Sequence, residues 1–155
     1  MKKLYYDVKK CLGCKSCEIA CGVGHSVTGE LLSAVREEVL SKPRVKVVSN
    51  KGISFPNACR HCDDHPCVDA CIASALSYDE KKKIVVHNQE RCIGCWMCVM
   101  VCPYGAIRPD LKEKIPLRCD RCIDVEEPRC VKACPTGAII WAEDKELEKI
   151  LAKKK

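Results

Sequence analysis

Sixteen cysteines fall into four groups of four, with none left over. Cys11, Cys14, Cys17 and Cys21 read C-x2-C-x2-C-x3-C, and Cys92, Cys95, Cys98 and Cys102 repeat that spacing with a proline after the last. Cys59, Cys62, Cys67 and Cys71 read C-x2-C-x4-C-x3-C, and Cys119, Cys122, Cys130 and Cys134 read C-x2-C-x7-C-x3-C. No other feature restricts the fold as much. A chain of 155 residues with one phenylalanine and 5 % aromatic residues has little from which to build an ordinary core. The cysteines must therefore staple the fold or hold something that replaces a core.

Stapling belongs to oxidising compartments. The N-terminal stretch MKKLYYDVKKCLGC has no apolar signal region, and no apolar run approaches membrane-spanning length, so a cytoplasmic, soluble protein is expected. In that setting clustered thiols act as metal ligands or redox groups. The C-x2-C-x2-C-x3-C run, repeated with its proline, is the spacing that bacterial ferredoxins use for [4Fe-4S] clusters. Three thiolates from one tight loop cap three irons, and the fourth, three residues on, is carried by a helical turn to a neighbouring cluster. A structural zinc-binding adaptor is the competing reading, but two-plus-two zinc sites leave the third cysteine of each group without a role.

Internal repetition supplies the architecture. KLYYDVKKCLGCKSCEIAC aligns with KIVVHNQERCIGCWMCVMVC, and CVDACIASAL with CVKACPTGAI. Two kinds of half-module each occur twice. The expected fold is α+β, with two ferredoxin-like two-cluster modules, the central one inserted into one closed by the N- and C-terminal parts. Residues 1–21 plus 115–142 form the terminal module, 22–55 a spacer, 56–110 the central module and 143–155 a charged C-terminal tail. Strands are expected at 75–78 and 84–87 around a turn, and a strand near Leu4 to Tyr6 should pair with Ala138 to Trp141.

If the fourth cysteine is exchanged within each module, four [4Fe-4S] clusters result. Cys11, Cys14, Cys17 and Cys134 would hold the first, and Cys119, Cys122, Cys130 and Cys21 the second. Cys59, Cys62, Cys67 and Cys102 would hold the third, and Cys92, Cys95, Cys98 and Cys71 the fourth, in the inner half of the resulting wire.

These four groups, in this order and with the inserted ferredoxin, resemble the iron–sulfur electron-transfer subunits of molybdopterin oxidoreductases, formate hydrogenlyase and anaerobic carbon monoxide dehydrogenase. CLGCKSCEIAC, the Lys-Pro-Arg-Val stretch at 42–45, FPNACRHCDDHPCVDAC and RCIGCWMCVMVCPYGAI are most similar to the carbon monoxide dehydrogenase iron–sulfur subunit. The resemblance implies a carrier between that nickel–iron catalytic subunit and a hydrogenase, a flavin oxidoreductase or another acceptor. A formate dehydrogenase, hydrogenase or molybdopterin oxidoreductase is the alternative partner. Larger relatives carry long insertions between cysteine groups and often a C-terminal membrane-contacting extension, whereas this chain continues only briefly past Trp141, so direct membrane insertion is not expected.

Nothing marks the chain as an enzyme: it has no Ser-His-Asp set, phosphate-cradling glycine loop or dinucleotide fingerprint. The formal charge of +6 does not imply nucleic acid, because each thiolate-ligated cubane brings a net charge of roughly −2. Lys15, Arg60, Arg91, Arg118 and Arg121 are read as compensating the clusters or meeting an acidic partner. His61 and His65 lie in the second cysteine loop, where a ring N–H can bond a cluster sulfur or face water. His25 and His87 are read as having no special role. Trp96 and Met97 are read as shielding a cluster from water, forming a contact surface or simply packing, Tyr104 and Trp141 as covering the clusters in the same way, and Lys153 to Lys155 as a solvated end.

In the spacer, Thr28 is expected to cap a helix near Glu30 to Leu40, followed by a hairpin of Arg44 to Val48 and Ile53 to Phe55 around Asn50-Lys51-Gly52. This segment is read as packing across the modules or docking a partner. One copy of the repeat departs from the rest: CIASAL, beginning at Cys71, stands where CPYGAI and CPTGAI have proline. Either the Ile72 N–H is aimed at a cluster sulfur, or the turn accepts both residues.

Overall fold

The computed structural model describes residues 2–152. Its elements are short because the cysteine loops interrupt the chain every few residues. Strand β1 (Lys3–Tyr6) leads through a 3-10 turn to helix α1 (Ser16–Gly24); α2 is Leu31–Ala34, β2 Lys46–Asn50 and β3 Ile53–Asn57. Helix α3 (Pro66–Asp69) precedes β4 (Leu76–Asp79) and β5 (Ile84–His87). Then come α4 (Met97–Met100), β6 (Arg108–Asp110), β7 (Ile115–Leu117), α5 (Arg129–Lys132), β8 (Ile139–Ala142) and α6 (Asp144–Ala152).

The strands form four separate antiparallel pairs. β1 pairs with β8, Lys3 facing Ala142 and Tyr6 facing Ile139, so the two ends of the chain close on each other. β4 pairs with β5, β2 with β3, and β6 with β7. The β2–β3 turn places Lys51 at φ 47° and Gly52 at φ 82°, the two left-handed residues that a two-residue hairpin of native twist requires. The β6–β7 hairpin was not anticipated; its strands have three residues each, and Pro109 and Pro116 mask the usual alternation.

Two small cores result, and cysteines are built into both. Cys17, Cys21, Cys59, Cys119 and Cys130 pack with Val45, Val47, Ala58 and Ile139. Cys67 and Cys98 pack with Leu76, Val85 and Ile107. Helix α1 lies against α5, and α3 against α4.

The spacer helix is much shorter than expected. Only Leu31–Ala34 is helical, and Leu31, Leu32, Val35, Val39 and Leu40 are all exposed. Without a surface to pack against, the apolar stripe does not sustain a helix of that length. Thr28 does not cap it either: its N–H and hydroxyl both donate to Glu37 Oε1, at 2.9 and 2.7 Å. Residues 144–152 of the charged tail form helix α6, with Asp144 and Glu146 in its first turn, where they complement the helix dipole. Lys153 to Lys155 lie outside the described residues.

Candidate metal centre

Each group delivers its cysteines by the same local device. The residue before the second cysteine takes a left-handed conformation in all four groups: Gly13 at φ 70°, His61 at 51°, Gly94 at 68° and Arg121 at 62°. This bends the C-x2-C segment back on itself. A helix then begins at or just before the third cysteine, and Cys17, Cys67, Cys98 and Cys130 are all buried. In α3, α4 and α5 the helix stops after one turn, so the fourth cysteine stands just beyond it. Helix α1 continues, and Cys21 lies inside it.

The thiols that converge come from different groups. Cys11, Cys14, Cys17 and Cys134 line one cavity, with Val47, Pro56 and Ile139 among its apolar walls. Cys71, Cys92, Cys95 and Cys98 line another, walled also by Leu76, Trp96 and Pro116. Among the remaining eight, burial raises the Cys62 and Cys67 thiol pKa values, the latter to about 11, and the neighbouring thiolates of Cys59 and Cys102 add to the rise. Burial likewise raises Cys119 and Cys130, the latter to about 12; Cys21 lies close enough to act on both, and Cys122 on Cys130. Among the described residues no three His, Cys, Asp or Glu side chains are placed to hold a single ion.

Sulfur also meets hydrogen-bond donors. The Ala75 N–H donates to Cys71 Sγ at 3.2 Å, Ala106 N–H to Cys102 Sγ at 3.4 Å, and Ala138 N–H to Cys134 Sγ at 3.2 Å. In each case the donor stands four residues on, freed because the helix has ended. For Cys21 that N–H is committed within the helix end, His25 to Gly22 O at 3.1 Å. The spacer replaces it: the Arg44 N–H donates to Cys21 Sγ at 3.1 Å. Cysteine sulfurs in apolar walls with aimed N–H groups suit iron–sulfur clusters, whose bridging and ligating sulfurs accept such bonds.

His25 has a role that sequence reading missed. Its Nδ1 lies 2.7 Å from Cys21 O and 3.7 Å from Cys21 Sγ, while Nε2 meets Asp120 Oδ2 at 2.9 Å. Burial opposes the charged ring, but the bonds to Asp120 and Cys21 outweigh it and raise the pKa to about 10. The i, i+4 spacing from Cys21 on one helix was the available signal; Asp120 and Arg44, brought from far along the chain, left none.

The other singled-out residues divide. His61 is 4 % exposed, and burial with the Arg118 and Arg121 charges lowers its pKa to about 3. His65 stacks on Tyr78 at 4.7 Å. His87, read as having no special role, lines the Cys71 cavity, and its Nε2 is buried without a partner among the described residues. Trp96 lines the same cavity, whereas Met97 is exposed. Arg60 lies over the exposed Tyr104 ring at 4.3 Å. Arg118 and Arg121 are buried, and Lys15 and Arg91 are exposed. Of the four thiols lining the Cys71 cavity only Cys98 is buried and Cys95 is exposed, whereas Cys21, Cys119, Cys122 and Cys130 are all buried.

Residues 51–144 match the family model of the 4Fe-4S dicluster domain, and residues 9–24 that of a 4Fe-4S binding domain. The chain belongs to the 4Fe-4S dicluster family. As a member it is an iron–sulfur electron-transfer protein rather than an enzyme in its own right. It is 39 % identical to the electron transport protein HydN of Escherichia coli, over 96 % of this chain and 92 % of that one. It is 37 % identical to an iron-sulfur protein of Rhodospirillum rubrum, over 88 % and 79 %. With the iron-sulfur subunit of the nitrate-inducible formate dehydrogenase of Escherichia coli it shares 31 % identity, over 91 % of this chain and 54 % of that one. A chain of the active site complex BamBC of benzoyl coenzyme A reductase has a similar fold, with TM-score 0.52, 23 % identity, and coverage of 99 % and 87 %.

Proposed function

We propose that this chain is a four-cluster wire that relays single electrons between a catalytic oxidoreductase subunit and a second redox partner. The four sets of converging thiols carry the reading. Cys11, Cys14, Cys17 and Cys134 would hold one [4Fe-4S] cluster, and Cys21, Cys119, Cys122 and Cys130 the next. Cys59, Cys62, Cys67 and Cys102 would hold a third, and Cys71, Cys92, Cys95 and Cys98 the fourth. When bound, the clusters supply one-electron redox chemistry; the chain supplies thiolates, N–H donors and insulation from water.

The order follows from which sets are neighbours. Cys130 lies within electrostatic reach of Cys17, Arg121 of both Cys119 and Cys59, and Cys67 of Cys98. The first and fourth sets each contain an exposed cysteine, Cys14 and Cys95. They are the entry and exit points, with the two less exposed sets between. The division into a terminal module and an inserted central one accompanies this order and is supported by the β1–β8 closure and by α1 against α5 and α3 against α4.

Carbon monoxide dehydrogenase is the partner that the sequence phrases imply. A formate-linked dehydrogenase or a hydrogenase is the second reading, favoured by the name of the formate dehydrogenase relative. No helix is long and apolar enough to cross a membrane, and a cytoplasmic location is part of the proposal. Anaerobically purified protein should be brown and contain about sixteen iron and sixteen sulfide per chain, four of each per cluster. A colourless protein with stoichiometric zinc would overturn the wire. Reduction under carbon monoxide by its dehydrogenase, compared with reduction under formate by a formate dehydrogenase, separates the two partners.

A further inference from the structure

Two of the four C-x2-C corners carry a buried polar side chain where the others carry glycine. Gly13 and Gly94 occupy the third position in the loops of exposed Cys14 and Cys95; His61 and Arg121 occupy it in the other two, 4 % and 6 % exposed. A left-handed conformation costs a side-chain-bearing residue free energy that glycine avoids. The side chain at position 61 is kept despite that cost.

Hydrogen bonding identifies the donor nitrogen of His61. The Val85 N–H donates to Nδ1 at 3.1 Å, and Arg118 Nη2 lies 3.3 Å from the same atom while donating to Val85 O at 2.6 Å. Nδ1 is therefore an acceptor, and the proton of the neutral ring is on Nε2. A flipped ring would leave the Val85 N–H facing carbon. Nε2 is buried and, among the described residues, has no partner; the same is true of Arg118 Nε. A buried donor without an acceptor costs about 1–3 kcal/mol, so the acceptor belongs to something other than the chain. The loop that bears His61 also bears Cys59 and Cys62, and the Arg118 charge reaches Cys67.

We infer that His61 Nε2–H donates to a sulfur of the cluster held by Cys59, Cys62, Cys67 and Cys102 and raises its reduction potential, with Arg118 as the positioning residue that holds the ring in this tautomer. The inference rests on the ligand assignment proposed above. When one electron enters, the cluster passes from a net charge of roughly −2 to roughly −3. No proton moves; His61 donates in both states and more strongly to the more negative one. The potential therefore rises.

Two substitutions exchange the two ends of the ring. His61→Asn keeps a polar atom near Nδ1 to accept from Val85 but has nothing at Nε2, and His61→Gln places an amide N–H at Nε2 but nothing at Nδ1. Iron and sulfide are measured first; a wild type short of four clusters sinks the ligand assignment itself. With cluster content intact, EPR-monitored redox titration should show one potential lowered in the Asn variant. At fixed ambient potential its ratio of reduced to oxidised cluster falls about tenfold, equivalent to about 59 mV for a one-electron couple. The Gln variant should keep the wild-type potential and lose thermal stability instead. Four unchanged potentials in the Asn variant, or equal lowering in both, would overturn the inference. If neither variant retains its clusters, 15N-histidine labelling of His25→Leu protein decides: pulsed EPR should find nitrogen coupled to a reduced inner cluster, and its absence rejects the bond.

Discussion

At the residue scale, the odd copy CIASAL lacks two features that CPYGAI and CPTGAI share in the turn, the proline after the cysteine and the glycine two residues further on. The turn after Cys71, Cys102 and Cys134 is closed by an N–H three residues on: Ser74 to Cys71 O at 2.9 Å, Gly105 to Cys102 O at 3.1 Å and Gly137 to Cys134 O at 3.3 Å. Ile72, Pro103 and Pro135 share the corner that proline suits, while Ser74 shares with Gly105 and Gly137 a left-handed conformation, φ 48° against 54° and 61°. The donor that meets Cys71 Sγ comes from Ala75, as in the proline copies, so the turn accepts either residue at position 72. Ser74→Gly should stabilise the protein by about 0.5–1 kcal/mol, and Ile72→Pro by a similar amount. Thermal unfolding under anaerobic conditions measures both, and the potential of the nearby cluster should stay at its wild-type value in Ile72→Pro. A drop in that potential would revive the idea that the Ile72 N–H tunes it.

At the scale of elements, hairpins and spacer hold the cysteine loops in place. An added Cβ on Gly94, already at φ 68°, would stand 2.7 Å from Lys114 O in the β6–β7 turn. Gly94→Ala should destabilise by about 1–3 kcal/mol and, on the proposed four-cluster assignment, cost the cluster of Cys71, Cys92, Cys95 and Cys98 first, visible as a fall in iron by about one quarter. The spacer is tied to the same hairpin: Lys42 Nζ meets buried Asp110 at 2.6 Å, and Arg108 donates to Pro43 O. The Lys42 bond holds the Asp110 pKa below its ordinary 3.8, against burial, with the Glu113 and Lys112 N–H groups assisting. Because the folded value is depressed, this contribution is complete above about pH 4 and is lost as pH falls through the folded pKa. Asp110→Asn should lower the melting midpoint at pH 7, with the gap from wild type narrowing below pH 4. A constant gap would show that the carboxylate charge contributes nothing. This clamp also delivers Arg44 to Cys21, which is why the spacer belongs to the metal centre.

At the scale of the whole molecule, thiols stand where other small proteins have aliphatic residues. Five of the nine buried residues in the larger core are cysteines. Burial raises the Cys17 and Cys67 thiol pKa values to about 11, so the thiolate form there depends on a bound metal for its stabilisation. Anaerobic removal of iron by a chelator should therefore unfold the chain, read as loss of far-ultraviolet circular dichroism together with visible colour. An apo-protein retaining its native spectrum would refute this. The cysteine spacing, with its repeats, was enough by itself to determine the iron–sulfur class and the α+β pattern of short elements, because three-residue loop geometry and hairpin signals are local. Tertiary structure decided the rest. It left Cys95 exposed, shortened the spacer helix whose apolar stripe finds no surface, and set His25, Asp120 and Arg44 around Cys21. It also turned His61 so that one nitrogen is engaged and the other buried without a partner. Each of these depends on atoms far apart in the chain meeting in a dry interior, where an unmet hydrogen bond is costly and local spacing carries no record of the partner.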